Sequence, residues 1–87
     1  MNLHRDEIKT ALRAKVVDLA RAIHLDASAL TDDDILPATG LLDSNAILEL
    51  VVWFETTYDF PIKQEEINID NLGSINAMAD FLLSRKR

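Results

Sequence analysis

Residues 40–58 read GLLDSNAILELVVWFETTY, in which a short polar stretch precedes an almost entirely apolar run. The apolar residues recur at separations of three and four, which places them on one side of a helix. They are Ile47, Leu50, Val51, Phe54 and Tyr58. Short polar side chains begin helices well because they accept hydrogen bonds from the free N–H groups there. We therefore predict a helix from about Ser44 to Tyr58, which Pro61 prevents from continuing.

The same periodicity predicts a long helix before this segment and another after it. The first covers about residues 4–24, and its apolar stripe consists of Ile8, Leu12, Val16, Leu19 and Ile23. The last helix is predicted to begin after Ser74, a suitable capping residue. Its inward-facing residues are Ile75, Met78, Ala79 and Leu82. Residues 64–70 allow one short helical turn.

Between the first two long helices, residues 25–43 are rich in Asp, Ser and Thr and contain Pro37 and Gly40. This composition is typical of a surface loop, and loops of such length are usually functional. A chain of 87 residues is short enough to form a single domain, residues 1–87. The predicted fold is all-α: a small antiparallel bundle of three long helices and one short helix, with a long loop between helices one and two.

Metal chemistry is not expected from this composition. The chain contains no cysteine, which excludes a disulfide framework and a thiolate metal site. Asp32, Asp33 and Asp34 are consecutive, so they do not match the alternating ligand spacing of a calcium-binding loop. We predict that they are only surface residues of the loop and that the protein has no metal site.

The charges are distributed unevenly along the chain. From Asp26 to Asp80 there are twelve carboxylates and a single base, Lys63. Such an acidic surface repels nucleic acid and attracts basic partners, although it is also compatible with a face that only keeps the protein soluble. No apolar run approaches the roughly 20 residues of a membrane span. We therefore expect a cytoplasmic monomer that neither binds nucleic acid nor inserts into a membrane.

Ser44 stands between Asp43 and Asn45 at the predicted start of the second helix, and two interpretations of it compete. It either helps to start the helix or is a site of covalent attachment. Catalysis by Ser44 is not expected, because the glycines of a nucleophile elbow are absent and no sequence feature brings His4 or His24 towards it. The protein is predicted not to be an enzyme.

The GLLDS step, Glu49 five residues after the serine, the YDFP exit and the acidic segment that follows together resemble the phosphopantetheine carrier proteins, the acyl carrier protein family. The resemblance covers about residues 4–84. It implies that Ser44 bears 4′-phosphopantetheine, attached by a dedicated transferase, and that the terminal thiol carries an acyl or aminoacyl group as a thioester. Asp43 would cap the helix and help to hold a divalent ion for the transferase.

Two positions depart from the pattern of fatty-acid carriers. Asn45 stands where most of them have leucine, Ala46 is also atypical, and both are expected to face the incoming partner. The doubled leucine, Leu41 and Leu42, is more similar to stand-alone carriers of specialised pathways, including those that carry amino acids.

The sequence thus predicts a carrier that shuttles thioester-linked groups between enzymes of fatty acid or secondary metabolite biosynthesis. Its expected partners are the phosphopantetheinyl transferase, the acyl- or aminoacyl-loading enzymes and downstream enzymes, all bound through their basic patches. The residues expected to contact them are Asp43, Asn45, Glu49, Val52 and Glu55. The alternative is a small acidic interaction module that has no prosthetic group.

Overall fold

The computed structural model describes residues 3–85 of the chain. Within that range the elements are helices and turns, with no β-strand. They are α1 (Arg5–Ala22), α2 (Leu36–Thr39), α3 (Ser44–Thr57), a 3₁₀ turn (Gln64–Glu66), α4 (Ile69–Leu72) and α5 (Ile75–Arg85). The predicted all-α fold with three long helices is therefore confirmed. Helix α2 was not predicted within the loop, and two short elements replace the one turn expected over residues 64–70.

Helix α1 buries the face that its periodicity predicts, with Ile8, Leu12, Val16 and Leu19 all buried. The helix ends at Ala22, and His24 then adopts the left-handed conformation with φ 63°, in which a right-handed helix cannot continue. The predicted range of 4–24 is therefore slightly too long. His4 and His24 flank α1 and do not lie within it, contrary to the prediction, and Ile23 is only half-buried.

Helix α5 begins as predicted. The Ser74 hydroxyl oxygen accepts a hydrogen bond from the Ala77 N–H at 3.0 Å, and Ile75, Met78, Ala79 and Leu82 are buried. The preceding residue, Gly73, joins α4 to α5 where a Cβ atom would collide with the carbonyl oxygen of Ile69. This close approach explains why a residue without a side chain occupies the junction.

The loop between α1 and α3 is held against the bundle by polar contacts. Asp32 forms ion pairs with Lys9 at 2.8 Å and with Arg13 at 2.5 Å, and Arg13 also donates to the carbonyl oxygen of Leu30. The backbone N–H of Asn76, on α5, donates to the carbonyl oxygen of Asp32 at 3.0 Å. The prediction that Asp32 is only a surface residue of the loop is therefore wrong, because Asp32 connects the loop to both α1 and α5.

The three long helices enclose one apolar core. Helix α1 packs against both α3 and α5, and α4 packs against α5. The fully buried ring of Phe54 meets Phe60 edge to face, with 5.7 Å between the ring centroids, and Phe60 lies 5.1 Å from Phe81 of α5. None of the helices within residues 3–85 combines the length and the apolar character that a membrane-spanning segment requires.

Candidate functional site

The start of α3 is built by local interactions. Asp43 has extended backbone angles, and its carboxylate accepts a hydrogen bond from the Ala46 N–H at 2.8 Å. Ser44 is the first residue of the helix. Asp43 is thus the capping residue that the sequence predicts, and the predicted start of the helix is confirmed.

Ser44 is exposed at this end of the helix. Its hydroxyl makes no hydrogen bond with any group of residues 3–85, and within that range the backbone N–H groups of Ser44 and Asn45 also have no acceptor. Unpaired N–H groups and the positive end of the helix dipole favour an anion at this place. The position is therefore accessible and electrostatically suited to a phosphoryl group on the serine oxygen.

Ser44 lies at the border between two different surfaces of α3. With about 100° between successive residues, Ile47 is turned about 60° to one side of Ser44 and Leu48 about 40° to the other. Ile47 faces an apolar cleft, whereas Leu48 belongs to the outer face of the helix. A group attached to Ser44 can therefore reach either surface.

The apolar cleft lies between α3, the loop before it and α4, and it has a volume of about 190 Å³. Its walls include Leu36, Ile47, Val51, Ile67, Ile69 and Met78. Ile67 and Ile69 remain 44% and 59% exposed, which leaves large apolar side chains in contact with solvent at this part of the surface. The cleft was not predicted from the sequence, because residues from segments that are distant along the chain form it.

The opposite surface, which we call the outer groove, is a shallow depression of about 480 Å³ along α3. It extends from Asn45 to Thr57, with Lys15 of α1 at its edge. Val52 is 59% exposed, as its predicted role as an apolar contact requires. Leu48 has the same exposure but was missed in the sequence analysis, although its position four residues after Ser44 would have indicated it.

The other residues expected to meet a partner are in different environments. Asn45 and Glu49 are exposed and line the outer groove. Ala46 was expected to face the partner, but only 7% of it is exposed, because the third position of the helix points into the core. That expectation is wrong.

Glu55 has a structural contact that the sequence analysis did not predict. Its carboxylate accepts a hydrogen bond from the Ile62 N–H at 3.0 Å, and its carbonyl oxygen accepts one from the Phe60 N–H at 2.9 Å. Asp59, which lies between Glu55 and Phe60, adopts the left-handed backbone conformation with φ 48°, as is common just after a helix end. Glu55 thus stabilises the turn that leaves α3, and its role in partner binding stays a prediction.

Residues 3–85 contain no group of three or more His, Cys, Asp or Glu side chains arranged to hold a metal ion. Comparisons of the chain with known protein families, with curated proteins and with solved structures found no match.

Proposed function

We propose that this protein is a non-enzymatic carrier of the acyl-carrier type, which bears 4′-phosphopantetheine on Ser44 and transports a thioester-linked acyl or aminoacyl group. The observation that carries the proposal is the exposed Ser44 hydroxyl, which makes no hydrogen bond within residues 3–85, at the first position of a helix capped by Asp43. The proposal implies a cytoplasmic location, because the modification needs coenzyme A and an intracellular transferase.

The attachment chemistry explains why these residue types suit the site. Transfer joins the Ser44 oxygen to the phosphorus of phosphopantetheine and releases the adenosine bisphosphate part of coenzyme A, while the hydroxyl proton passes to a base. No side chain of residues 3–85 is hydrogen-bonded to the Ser44 hydroxyl. The proposal therefore assigns the base to the transferase.

The outer face of α3 beside Ser44 supports a carrier. The exposed Leu48 and Val52, with Glu49 between them, offer a partner enzyme an apolar contact with a negative charge beside it. We therefore propose that loading and downstream enzymes approach the outer face of α3, and that basic groups on them pair with Glu49.

Intact-mass measurement after incubation with coenzyme A and a broad-specificity phosphopantetheinyl transferase tests the proposal. The expected result is a gain of one phosphopantetheine group, lost completely in Ser44→Ala. Ser84→Ala is the matched control, because Ser84 is also an exposed serine of a long helix and should leave the modification intact. Circular dichroism should show the same helix content in all three proteins.

Two outcomes would count against the carrier. A wild-type chain that stays unmodified with several transferases would favour the acidic interaction module without a prosthetic group. Modification that persists in Ser44→Ala would place the attachment elsewhere, and Ser74 is a poor substitute because it is 6% exposed and caps α5.

A further inference from the structure

We infer that the phosphopantetheine arm on Ser44 lies along the outer groove of α3 and extends towards Thr57, and does not enter the apolar cleft. This inference rests on the proposed function, since it needs an arm on Ser44. It assigns the residues of α3 that line the groove, between Asn45 and Thr57, a role in holding the arm, in addition to any contact with partner enzymes.

The length of the groove matches the length of the arm. Asn45 and Thr57 are twelve residues apart, which corresponds to about 18 Å along a helix. The chain of an extended phosphopantetheine is about as long as five or six amino-acid residues, or about 18–20 Å. An arm that starts at Ser44 can therefore follow the whole groove, with its thiol near the end of α3.

The chemistry of the groove also matches the arm, which contains two amides, a hydroxyl and a branched apolar carbon with two methyl groups. Leu48 and Val52 supply exposed apolar side chains for the methyl groups. Asn45, Thr56 and Thr57 supply an amide and two hydroxyls that can exchange hydrogen bonds with the polar groups of the arm.

Charge does not oppose this placement. The phosphate at Ser44 carries the charge of the arm, and Lys15 is the basic residue among those that line the groove. Glu49, the acidic residue of the groove, lies five positions beyond Ser44, where the neutral pantetheine part of the arm would pass.

The apolar cleft cannot give the arm the same contacts. Asn68 has the only polar side chain among the residues that line it, and each end of that amide already makes one hydrogen bond. The Asn68 oxygen accepts from the Asn71 N–H at 2.9 Å, and its nitrogen donates to the carbonyl oxygen of Glu65 at 3.3 Å. Two amides of the arm would lose their hydrogen bonds to water there and find fewer polar partners than in the groove, which is unfavourable.

Nuclear magnetic resonance of the ¹⁵N-labelled chain before and after enzymatic modification tests the inference. The expected result is that the backbone amide shifts of Leu48, Val52 and Thr56 change at least twofold more than those of Ile67 and Ile69. Contacts between the arm methyl groups and the Val52 methyl groups should also appear in nuclear Overhauser spectra.

A variant of the groove sharpens the test. In the modified Val52→Ser protein, whose loading is verified by mass, the shift change at Thr56 should fall to less than half of the wild-type change. Ala22→Ser, an exposed substitution at the end of α1, is the control and should leave that change as it is.

The outcomes separate this inference from the proposed function. If the transferase adds nothing, the carrier proposal fails. If the arm is added but the largest changes lie at Ile67 and Ile69, or no residue beyond Leu48 responds, the carrier proposal survives and the placement along the outer groove is overturned.

Discussion

Both faces of α3 carry apolar residues, but one face is buried in the core and the other is exposed to solvent. On the inner face Leu50 is 2% exposed and Phe54 is fully buried, whereas Leu48 and Val52 on the outer face are each 59% exposed. Residue type alone therefore does not tell which apolar side chains hold the fold together. The rotation of the helix against α1 decides it, and it leaves the outer face available for binding near Ser44.

Replacing Phe54 is expected to give the largest effect and tests the inner face. Phe54→Ala removes a ring that packs edge to face with both Tyr58 and Phe60. The free energy of unfolding should fall by about 3–5 kcal/mol, because the transfer energy of the ring and the cost of a cavity add. Urea denaturation followed by circular dichroism measures it, and so small a domain should be largely unfolded.

Val52→Ala is the matched control on the outer face. The lost methyl groups are largely exposed to water, so the free energy of unfolding should change by no more than about 0.5 kcal/mol. Similar losses for Val52→Ala and Phe54→Ala would show that α3 is rotated relative to the structure, and the distinction between its two faces would disappear.

The two glutamates of α3 provide an intermediate test. Glu55→Ala leaves the half-buried Ile62 N–H without its acceptor, so the free energy of unfolding should fall by about 1 kcal/mol. Glu49→Ala, on the exposed face, should stay within about 0.5 kcal/mol of wild type. Denaturation curves of both variants measure the difference.

Glu55→Gln refines this comparison because it keeps an oxygen that can accept the Ile62 N–H and removes only the charge. It should restore most of the stability lost in Glu55→Ala. If Glu55→Gln is as destabilised as Glu55→Ala, the charge and not the hydrogen bond matters, and the structural role assigned to Glu55 is wrong.

Replacing Asp32 is expected to change stability less than replacing Phe54 or Glu55. It compares the ion pairs of the loop with the burial of the inner face of α3. Hydrogen bonds from Lys9 and then Arg13 hold the pKa of the Asp32 carboxyl below its usual value of 3.8. The resulting stabilisation is present above the unfolded pKa and is lost as the pH falls through the folded pKa. Because these side chains are partly exposed, it should amount to less than about 1 kcal/mol.

Comparing wild type with Asp32→Asn between pH 7 and pH 2 measures this contribution. The difference in unfolding free energy between the two proteins should be constant near neutral pH and shrink towards the acidic end. A difference that is independent of pH would contradict the contribution of the ion pairs, and one as large as that of Phe54→Ala would contradict the view that burial dominates.

Much of the start of α3 could be predicted from the sequence. Asp43 caps the helix through the Ala46 N–H three residues on, and the stripe through Leu50 and Phe54 follows from apolar residues spaced three and four apart. Both features depend only on the local order of residues. Ala46 was misplaced although it lies four residues before Leu50, on the same stripe, because its expected position came from the comparison with fatty-acid carriers and not from the periodicity.

The sequence by itself determined the three long helices, the cap of Asp43 on α3 and that of Ser74 on α5, because each needs only neighbours within one turn. The tertiary structure decided the apolar cleft, the ion pairs of Asp32 and the bond from Ile62 to Glu55. These contacts join segments that are distant along the chain or meet only after a turn. Their partners depend on how the helices pack, which no local pattern specifies.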